Sequence, residues 1–229
     1  MDSYIVALDD MSAGVRALAG RLRLTHIFPF VSRAVFEGDA SELGGYAASA
    51  VRVTKVSAVL DRARGAVRCP DRPIEPYAGA GVTVAVIDTG IEPHIDFLVP
   101  DRLKAFADVI GGKEQPYDDN GHGTAVAGAL AGNGLLSGGK YCGIASGADI
   151  VAVKALSRDG EGSTADILQA MQWVWDNAAR LKIKVVCMSF GAPPKKRGDP
   201  LAAGVRALHS IGLTVVVSAG NGGPGSGTI

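Results

Sequence analysis

The sequence predicts an α/β fold, with a doubly wound parallel sheet preceded by a small α+β unit. Two observations predict the parallel sheet. Continuous apolar runs rich in valine recur after residue 81, and helical patterns of apolar residues separate them. Strands that are buried on both faces of a parallel sheet have such unbroken runs, and each parallel pair needs a crossover connection. A third observation, a stretch rich in proline and glycine at residues 61–80, divides this sheet from the residues that precede it.

The order of apolar patterns in residues 1–60 predicts one small domain. An apolar strand at 4–8 is followed by a helical pattern in which Val15, Leu18 and Leu22 share one face. The later elements are, in order, strands at 26–30 and 33–37, a short helix at 41–50 and a strand at 51–59. The order strand, helix, strand, strand, helix, strand is the ferredoxin-like arrangement.

The composition of residues 61–80 predicts a linker. Pro70, Pro73 and Pro76 occur here together with several glycines and the charged run that begins at Asp61. Proline has no backbone N–H donor and a fixed φ, so the stretch should be extended and accessible. A protease would find a cleavage site here.

The region 81–229 predicts the parallel sheet. Its strands are expected at 82–87, 150–156, 185–190 and 213–218. Ser163 and Asp166 have the spacing of a capping box at the start of the helix between the second and third of these strands. Asp199 and Pro200 begin the next helix, which ends before Gly212.

Unusual residues follow the predicted strands at their carboxyl ends. These residues are Asp88-Thr89-Gly90, Gly160-Glu161-Gly162-Ser163, Ser189-Phe190-Gly191 and Ser218-Ala219-Gly220-Asn221. Ligands of an open parallel sheet bind outside this edge. An acid, two edges that contain glycine and a side-chain amide should therefore meet on one rim.

His122 is expected to join the acid on this rim. It begins a helix of small residues that can pack closely against its neighbours. A carboxylate that is hydrogen-bonded to an imidazole fixes its tautomer and stabilises the imidazolium formed in acyl transfer. A side-chain amide such as that of Asn221 can donate to a developing oxyanion. The residues thus predict acyl-transfer chemistry that still needs a nucleophile.

Asp88-Thr89-Gly90 taken alone also fits an aspartic protease. That interpretation needs an all-β fold and a second such triplet, and the sequence has neither. The block around His122 further along the chain favours the acyl-transfer interpretation.

Four blocks in this order resemble the signature blocks of the subtilisin-like serine proteases, namely those around Asp88, His122, Ser189 and Asn221. The resemblance implies that Asp88 orients the imidazole, that His122 is the general base and acid, and that Asn221 is an oxyanion donor. It also implies two edges that hold an extended substrate, formed by Gly160 and Gly162 and by Ser189, Phe190 and Gly191. The pocket for the residue before the scissile bond would be walled by Ser218, Ala219 and Gly220.

The resemblance extends to residues 1–60, which are similar to an inhibitory propeptide that assists folding and then blocks the cleft. The implied function is a serine endopeptidase precursor, a zymogen with its processing site in the linker at 61–80 and its catalytic domain at 81–229. Its implied partners are protein or peptide substrates and its own propeptide, an intramolecular inhibitor. The alternative is a non-catalytic pseudoprotease or a propeptide-type protease inhibitor.

One block of the family pattern is missing. Family members have the nucleophile in a block like Gly-Thr-Ser-Met-Ala, and no such block occurs in the 229 residues. Ser226 lies in a different context, close behind Asn221. We therefore expect a truncated or split catalytic domain, and little or no peptidase activity in the 229-residue chain.

Composition argues against two classes of partner. Lys and Arg number 23, and Asp and Glu number 23, so the chain has no net positive charge for nucleic acid. The longest apolar runs are too short to span a bilayer. The first residues do not have the pattern of a signal peptide, whereas the resemblance implies an extracellular protein.

The implied chemistry requires no cofactor. The resemblance allows calcium as a structural ion near Asp96 and Asn133, but one carboxylate and one amide are too few for an ion that takes six or more oxygen ligands. No metal ligand is therefore predicted. Cys187 should be a small buried apolar residue, and whether Cys69 and Cys142 are paired stays open.

Overall fold

The computed structural model describes residues 2–53, 55–58, 76–139, 141–191 and 198–220, and at 55–58 it describes the backbone alone. The N-terminal elements are β1 (Asp2–Ala7), α1 (Met11–Ala19), β2 (Arg23–Phe28), β3 (Arg33–Gly38) and β4 (Ala50–Arg52). The four strands form an antiparallel sheet in the order β2-β3-β1-β4. α1 begins after Asp10, whose carboxylate accepts a hydrogen bond from the backbone N–H of Ala13 at 2.9 Å.

The structure changes the type of one element predicted for this unit and contradicts another. The predicted helix at 41–50 is a stretch of 3₁₀ turns, Ala40–Ser49, interrupted at Gly44, where φ is 54° and ψ is −129°. Glycine adopts such angles easily, so the pair Gly44-Gly45 breaks the helix. The single strand predicted at 51–59 is divided, because β4 pairs with β1 whereas β5 (Lys55–Ala58) belongs to another sheet.

The second sheet is parallel and confirms the α/β prediction. The elements after β5 are β6 (Thr83–Asp88), α2 (Ile95–Leu98), β7 (Leu103–Asp108), α3 (His122–Ala131), β8 (Asp149–Lys154), β9 (Glu161–Ser163), α4 (Thr164–Asn177), β10 (Ile183–Met188), β11 (Phe190–Gly191), α5 (Pro200–Ser210) and β12 (Thr214–Val217). The strand order is β12-β10-β6-β8-β7. The sequence did not predict β7, because this edge strand is only partly buried and lacks an unbroken apolar run.

Helices cover both faces of the parallel sheet. Along β6, Val84 and Val86 pack with Val126 of α3, whereas Ala85 and Ile87 pack with α4 and α5 on the opposite face. Successive side chains of a strand point to opposite faces, so both helix layers bury the same strand. β6 therefore lies at the centre of the domain.

Both predicted helix starts are confirmed. Ser163 Oγ accepts a hydrogen bond from the N–H of Asp166 at 3.1 Å, and the carboxylate of Asp166 accepts one from the N–H of Ser163 at 2.8 Å. The carboxylate of Asp199 accepts from the N–H of Leu201 at 2.9 Å, with Pro200 in the first turn of α5.

The antiparallel sheet lies against α4 and α5. Phe28 and Val35 belong to the same buried core as the inward faces of these helices. The ring of Phe30 lies 5.8 Å from that of Trp175, centroid to centroid, and the N–H of Phe30 donates to Oε1 of Gln172 at 3.4 Å. The two parts of the chain therefore share a core.

A third, three-stranded sheet joins the two parts of the chain. Its order is β11-β5-β9, with β5 antiparallel to both neighbours. Ala58 lies opposite Phe190, and Val56 lies opposite Gly162. The strand β5, from the N-terminal part of the chain, thus lies between β9 and β11, which both belong to the second part.

Two further expectations concern membranes and thiols. Within the described ranges, no helix combines the length and the apolar character that crossing a bilayer requires. Cys142 is a buried thiol and Cys187 a partly buried one, and neither forms a disulfide. Cys69 lies outside the described residues.

Arg102 links three segments beneath the parallel sheet. Its side chain is 4% exposed, and its guanidinium donates to the carbonyl oxygens of Ala131 at 2.7 Å, Ala148 at 2.9 Å and Asp96. These carbonyls lie at the end of α3, before β8 and in α2. One guanidinium group therefore supplies hydrogen-bond donors to backbone carbonyl oxygens of three separate segments.

Replacing this cation should destabilise the fold. We expect Arg102→Met to lower the free energy of unfolding by about 3 kcal/mol, since buried carbonyl oxygens would lose their donor. Urea denaturation monitored by circular dichroism measures this. The matched control is Arg180→Met, because Arg180 is exposed and its hydrogen bond among the described residues goes to Oδ1 of Asn177. This variant should change stability by less than about 0.5 kcal/mol. Equal effects of the two substitutions would contradict the assigned role of Arg102.

Candidate active site

Asp88 and His122 meet at the carboxyl end of β6. Asp88 is the last residue of β6 and is completely buried, and His122 is the first residue of α3. Nδ1 of His122 lies 2.7 Å from Oδ1 of Asp88, a hydrogen-bonding distance. The N–H of Thr89 donates to the same carboxylate oxygen at 2.7 Å. The structure thus brings together the predicted acid and the predicted imidazole.

Glycine allows α3 to approach β6 closely. A Cβ at Gly123 would lie 2.2 Å from the carbonyl oxygen of Gly90, which is closer than real Cβ atoms come. The N–H of Gly123 donates to Oγ1 of Thr89 at 2.8 Å. The start of the helix is therefore in direct contact with the loop that follows Asp88, as the run of small residues predicted.

Asp118, which the sequence did not single out, organises the loops around this pair. Its Oδ1 accepts hydrogen bonds from Oγ1 of Thr89 at 2.9 Å and from the N–H groups of Asn120 at 3.1 Å and Gly121 at 2.9 Å. Its Oδ2 accepts from the N–H of Thr124 at 2.9 Å and from Oγ1 of Thr124 at 2.6 Å. One carboxylate therefore contacts the loop after β6, the loop before α3 and the first turn of α3.

The pKa of Asp118 shows which effect dominates there. Burial by itself raises the pKa of this carboxyl, but hydrogen bonds from Thr124, Gly121 and Thr89 outweigh burial, so the pKa lies below its ordinary value of 3.8. Because the folded-state pKa is lowered, the ionised carboxylate stabilises the fold above the ordinary pKa. This stabilisation is lost only as the pH falls through the lowered value.

Lys154 is a second residue that the sequence did not predict. It lies at the end of β8, directly opposite Asp88 in the strand register, and is 1% exposed. Its Nζ donates to the carbonyl oxygens of Thr89 at 2.6 Å and Leu156 at 2.9 Å, and to Oδ1 of Asp119 at 2.7 Å. A lysine in an apolar strand run gives no local signal for this role.

The predicted substrate edges lie on either side of β5. Gly162 belongs to β9, where a Cβ would lie 2.4 Å from the carbonyl oxygen of Ala155. Gly160 precedes β9 in a turn with φ 73°. On the other side, Phe190 and Gly191 form β11, and the partly buried Ser189 lies between β10 and β11.

The predicted pocket wall is only partly described. Ser218 follows β12, where its N–H donates to the carbonyl oxygen of Met188 at 3.2 Å and its Oγ donates to that of Phe190 at 2.7 Å. Ala219 and Gly220 are exposed beyond it. Asn221 and Ser226 lie outside the described residues, so the amide expected on this rim stays a prediction.

Cys187 is not suited to be a nucleophile. It lies in β10 beside β6, and burial together with the charge of Asp88 raises the pKa of its thiol to about 11. A thiol with this pKa is protonated at neutral pH, whereas the thiolate is the reactive form.

Asp96 and Asn133, considered for calcium in the sequence, form hydrogen bonds between loops. Oδ2 of Asp96 accepts a hydrogen bond from the N–H of Gly134 at 3.1 Å, and the backbone oxygen of Asp96 accepts from Arg102. Asn133 uses Nδ2 to donate to Val99 and Oδ1 to accept from Leu135. Among the described residues, no three His, Cys, Asp or Glu side chains are grouped to bind a metal.

Comparisons with known proteins identify the family of this chain. The model of the subtilase family (peptidase family S8) matches residues 79–229. Serine protease AprX from Bacillus subtilis (strain 168) is 41% identical over 185 residues, which are 76% of this chain and 41% of that protein. A cuticle-degrading serine protease from Orbilia oligospora is 40% identical over 149 residues, which are 64% of this chain and 32% of that protein.

A solved structure is also similar. The cold adapted subtilisin-like serine proteinase has a TM-score of 0.52 and 29% sequence identity, and the match covers 67% of this chain and 54% of that chain. The chain thus spans about half or less of the length of these relatives. The family model covers most of the chain and confirms the resemblance of the sequence blocks. The chain therefore belongs to the subtilase family.

Proposed function

We propose that this chain carries the acid, the base and the substrate edges of a serine endopeptidase precursor that hydrolyses peptide bonds through an Asp-His-Ser triad. The observation that carries the proposal is the 2.7 Å contact between Nδ1 of His122 and Oδ1 of Asp88. This contact lies at the carboxyl end of a parallel sheet, beside two strand edges that can hold an extended peptide.

The two side chains have distinct roles in this mechanism. Asp88 accepts the Nδ1–H hydrogen bond, which leaves the lone pair of the imidazole on Nε2. His122 then takes the proton of a serine hydroxyl through Nε2 as the hydroxyl oxygen attacks the scissile carbonyl carbon. The same proton passes to the nitrogen of the leaving amine. Water repeats the sequence on the acyl-enzyme, and Asp88 stabilises the imidazolium in both halves.

The remaining groups are assigned from residue type and resemblance. Asn221 follows β12 and is proposed as a donor to the oxyanion. The serine would belong to a Gly-Thr-Ser-like block, which is not among residues 1–229. The chemistry needs neither a metal nor a cofactor, because proton transfer and oxyanion stabilisation are supplied by side chains and backbone donors.

The direction of β5 supports assigning residues 1–60 as an inhibitory propeptide. Because β5 is antiparallel to both neighbours, it runs from Ser163 towards Glu161 on one side and from Gly191 towards Phe190 on the other. Both directions lead to the catalytic rim. Nδ2 of Asn120 donates to the carbonyl oxygen of Arg158 at 2.7 Å, which joins the loop before β9 to the loop of His122. β5 thus enters the cleft as an extended substrate would.

This arrangement supports the proposed division of the chain. Residues 1–60 would be the propeptide, and their strand order β2-β3-β1-β4 has ferredoxin-like connectivity, with 3₁₀ turns in place of the second helix. Residues 61–80, largely outside the described residues, would contain the processing site, and residues 81–229 would belong to the catalytic domain. We also propose protein or peptide substrates and an extracellular location, which suits a relative named for degrading cuticle.

The 229-residue chain should not react with a fluorophosphonate probe. Such probes phosphonylate an activated serine with loss of fluoride, and no serine here lies in the family's nucleophile block. Labelling followed by gel fluorescence measures this, with a complete subtilisin-like protease as the positive control. The control variant is His122→Ala, which should give the same background. Stoichiometric labelling that depends on His122 would show that a serine such as Ser226 is the nucleophile.

The coding sequence after Ile229 distinguishes the enzyme from the alternative. A Gly-Thr-Ser block in frame would support the enzyme, and a stop codon directly after Ile229 would support the pseudoprotease.

Removing one donor from β5 should open the cleft. We expect Ser57→Pro to raise the amide exchange rates of residues 161–163 and 190–191 about tenfold, because proline removes a ladder hydrogen bond from a central strand. Hydrogen–deuterium exchange with mass spectrometry measures this. Ser57→Ala is the matched control, since it keeps the N–H donor and should leave exchange at these edges unchanged. Equal protection in both variants would rule out β5 as the strand that blocks the cleft.

A further inference from the structure

We infer that Asp118 is the positioning residue that holds His122 in hydrogen-bonding contact with Asp88. This inference rests on the proposed function, because it assigns a role within the same Asp-His pair. The hydrogen bonds that Asp118 accepts come from neighbours of the pair in the sequence. Asp118 binds the residues next to the pair: Thr89 after Asp88, Gly121 before His122, and Thr124 two residues beyond His122.

Thr89 connects the two sides of the pair. Its hydroxyl donates to Oδ1 of Asp118 and accepts a hydrogen bond from the N–H of Gly123. Thr89 is completely buried, so this hydroxyl has no alternative partner in water. The chain of contacts Asp118–Thr89–Gly123 therefore fixes the distance between the end of β6 and the start of α3.

Asp118 also caps α3. Gly121 occupies the N-cap position of this helix and has no side chain to accept a hydrogen bond. Oδ2 of Asp118 accepts from the N–H of Thr124 instead, which places a negative charge at the positive end of the helix. The orientation of the first turn, and hence of His122, depends on a carboxylate four residues earlier in the chain.

The five contacts require a carboxylate and not an amide. Each partner atom of Asp118 acts as a donor, and three of them are backbone N–H groups, which cannot accept. In Asp118→Asn, the NH₂ group would face either the N–H of Thr124 or the N–H groups of Asn120 and Gly121. Either orientation of the amide loses contacts on one side, although the size of the side chain is unchanged.

The test uses the hydrogen-bonded Nδ1 proton of His122 in the 229-residue chain, which needs no nucleophile. Such a proton gives a far-downfield NMR resonance, whose exchange with water can be measured by saturation transfer. We expect Asp118→Asn to raise the exchange rate at least about tenfold or to remove the resonance, since hydrogen bonds to a charged group are lost. Circular dichroism should retain the signal of the parallel sheet.

Asp108→Asn is the matched control. Asp108 also accepts several hydrogen bonds, from the N–H groups of Ile110, Gly111 and Lys113 and from the hydroxyl of Tyr117, but it contacts neither Thr89 nor α3 through them. This variant should keep the His122 resonance at the wild-type position and exchange rate. An equal change in both variants would overturn the inference.

Thr89→Val provides an independent variant should Asp118→Asn fail to fold. It keeps the shape of the side chain and removes only the hydroxyl that joins Asp118 to Gly123. We expect exchange of the His122 proton to be about threefold to tenfold faster than in the wild type. An unchanged rate would overturn the inference and leave the proposed function intact. Absence of the downfield resonance from the wild-type chain would instead contradict the Asp88–His122 pair, and with it the proposed function.

Discussion

A buried carboxyl group at the end of β6 is the constraint on which the site depends. Asp88 is completely removed from water, and a buried polar group is tolerated only when hydrogen bonds replace those it makes with water. The N–H of Thr89 and Nδ1 of His122 supply two such contacts. Lys154 lies opposite in the register and holds the carbonyl oxygen of Thr89, so the loop that carries these contacts is itself fixed.

Close backbone contact turns this local pairing into a rigid centre. α3 approaches the loop after β6 so closely that Gly123 has no room for a Cβ. Gly90, with φ 119°, has its own place for a Cβ filled by the carbonyl oxygen of Tyr117. Asp118 then ties the two loops and the helix together. A site of this kind is built on a strand end and a helix start, which hold side chains more precisely than loops do.

In the proposed function, the same backbone geometry would serve both recognition of a peptide and blocking of the cleft. The edges of β9 and β11 present main-chain donors and acceptors, which any extended segment can pair with. β5 does so from within the chain, while Phe28 and Val35 hold the N-terminal sheet against α4 and α5. The local concentration of such a tethered strand is high, so a peptide would have to displace it before binding.

Local patterns in the sequence determined the parallel strands, the capped helix starts and the residues that end β6 and begin α3, because each depends on neighbours a few positions away. Asp88 and His122 stood out for that reason. Tertiary structure alone decided the roles of Asp118 and Lys154, the path of β7, and the division of residues 51–59 between two sheets. A polar residue's partners depend on which distant loops meet, and a strand's pairing depends on which edges are left for it. The spacing of apolar residues along the sequence therefore predicts neither the partners of a polar residue nor the pairing of a strand.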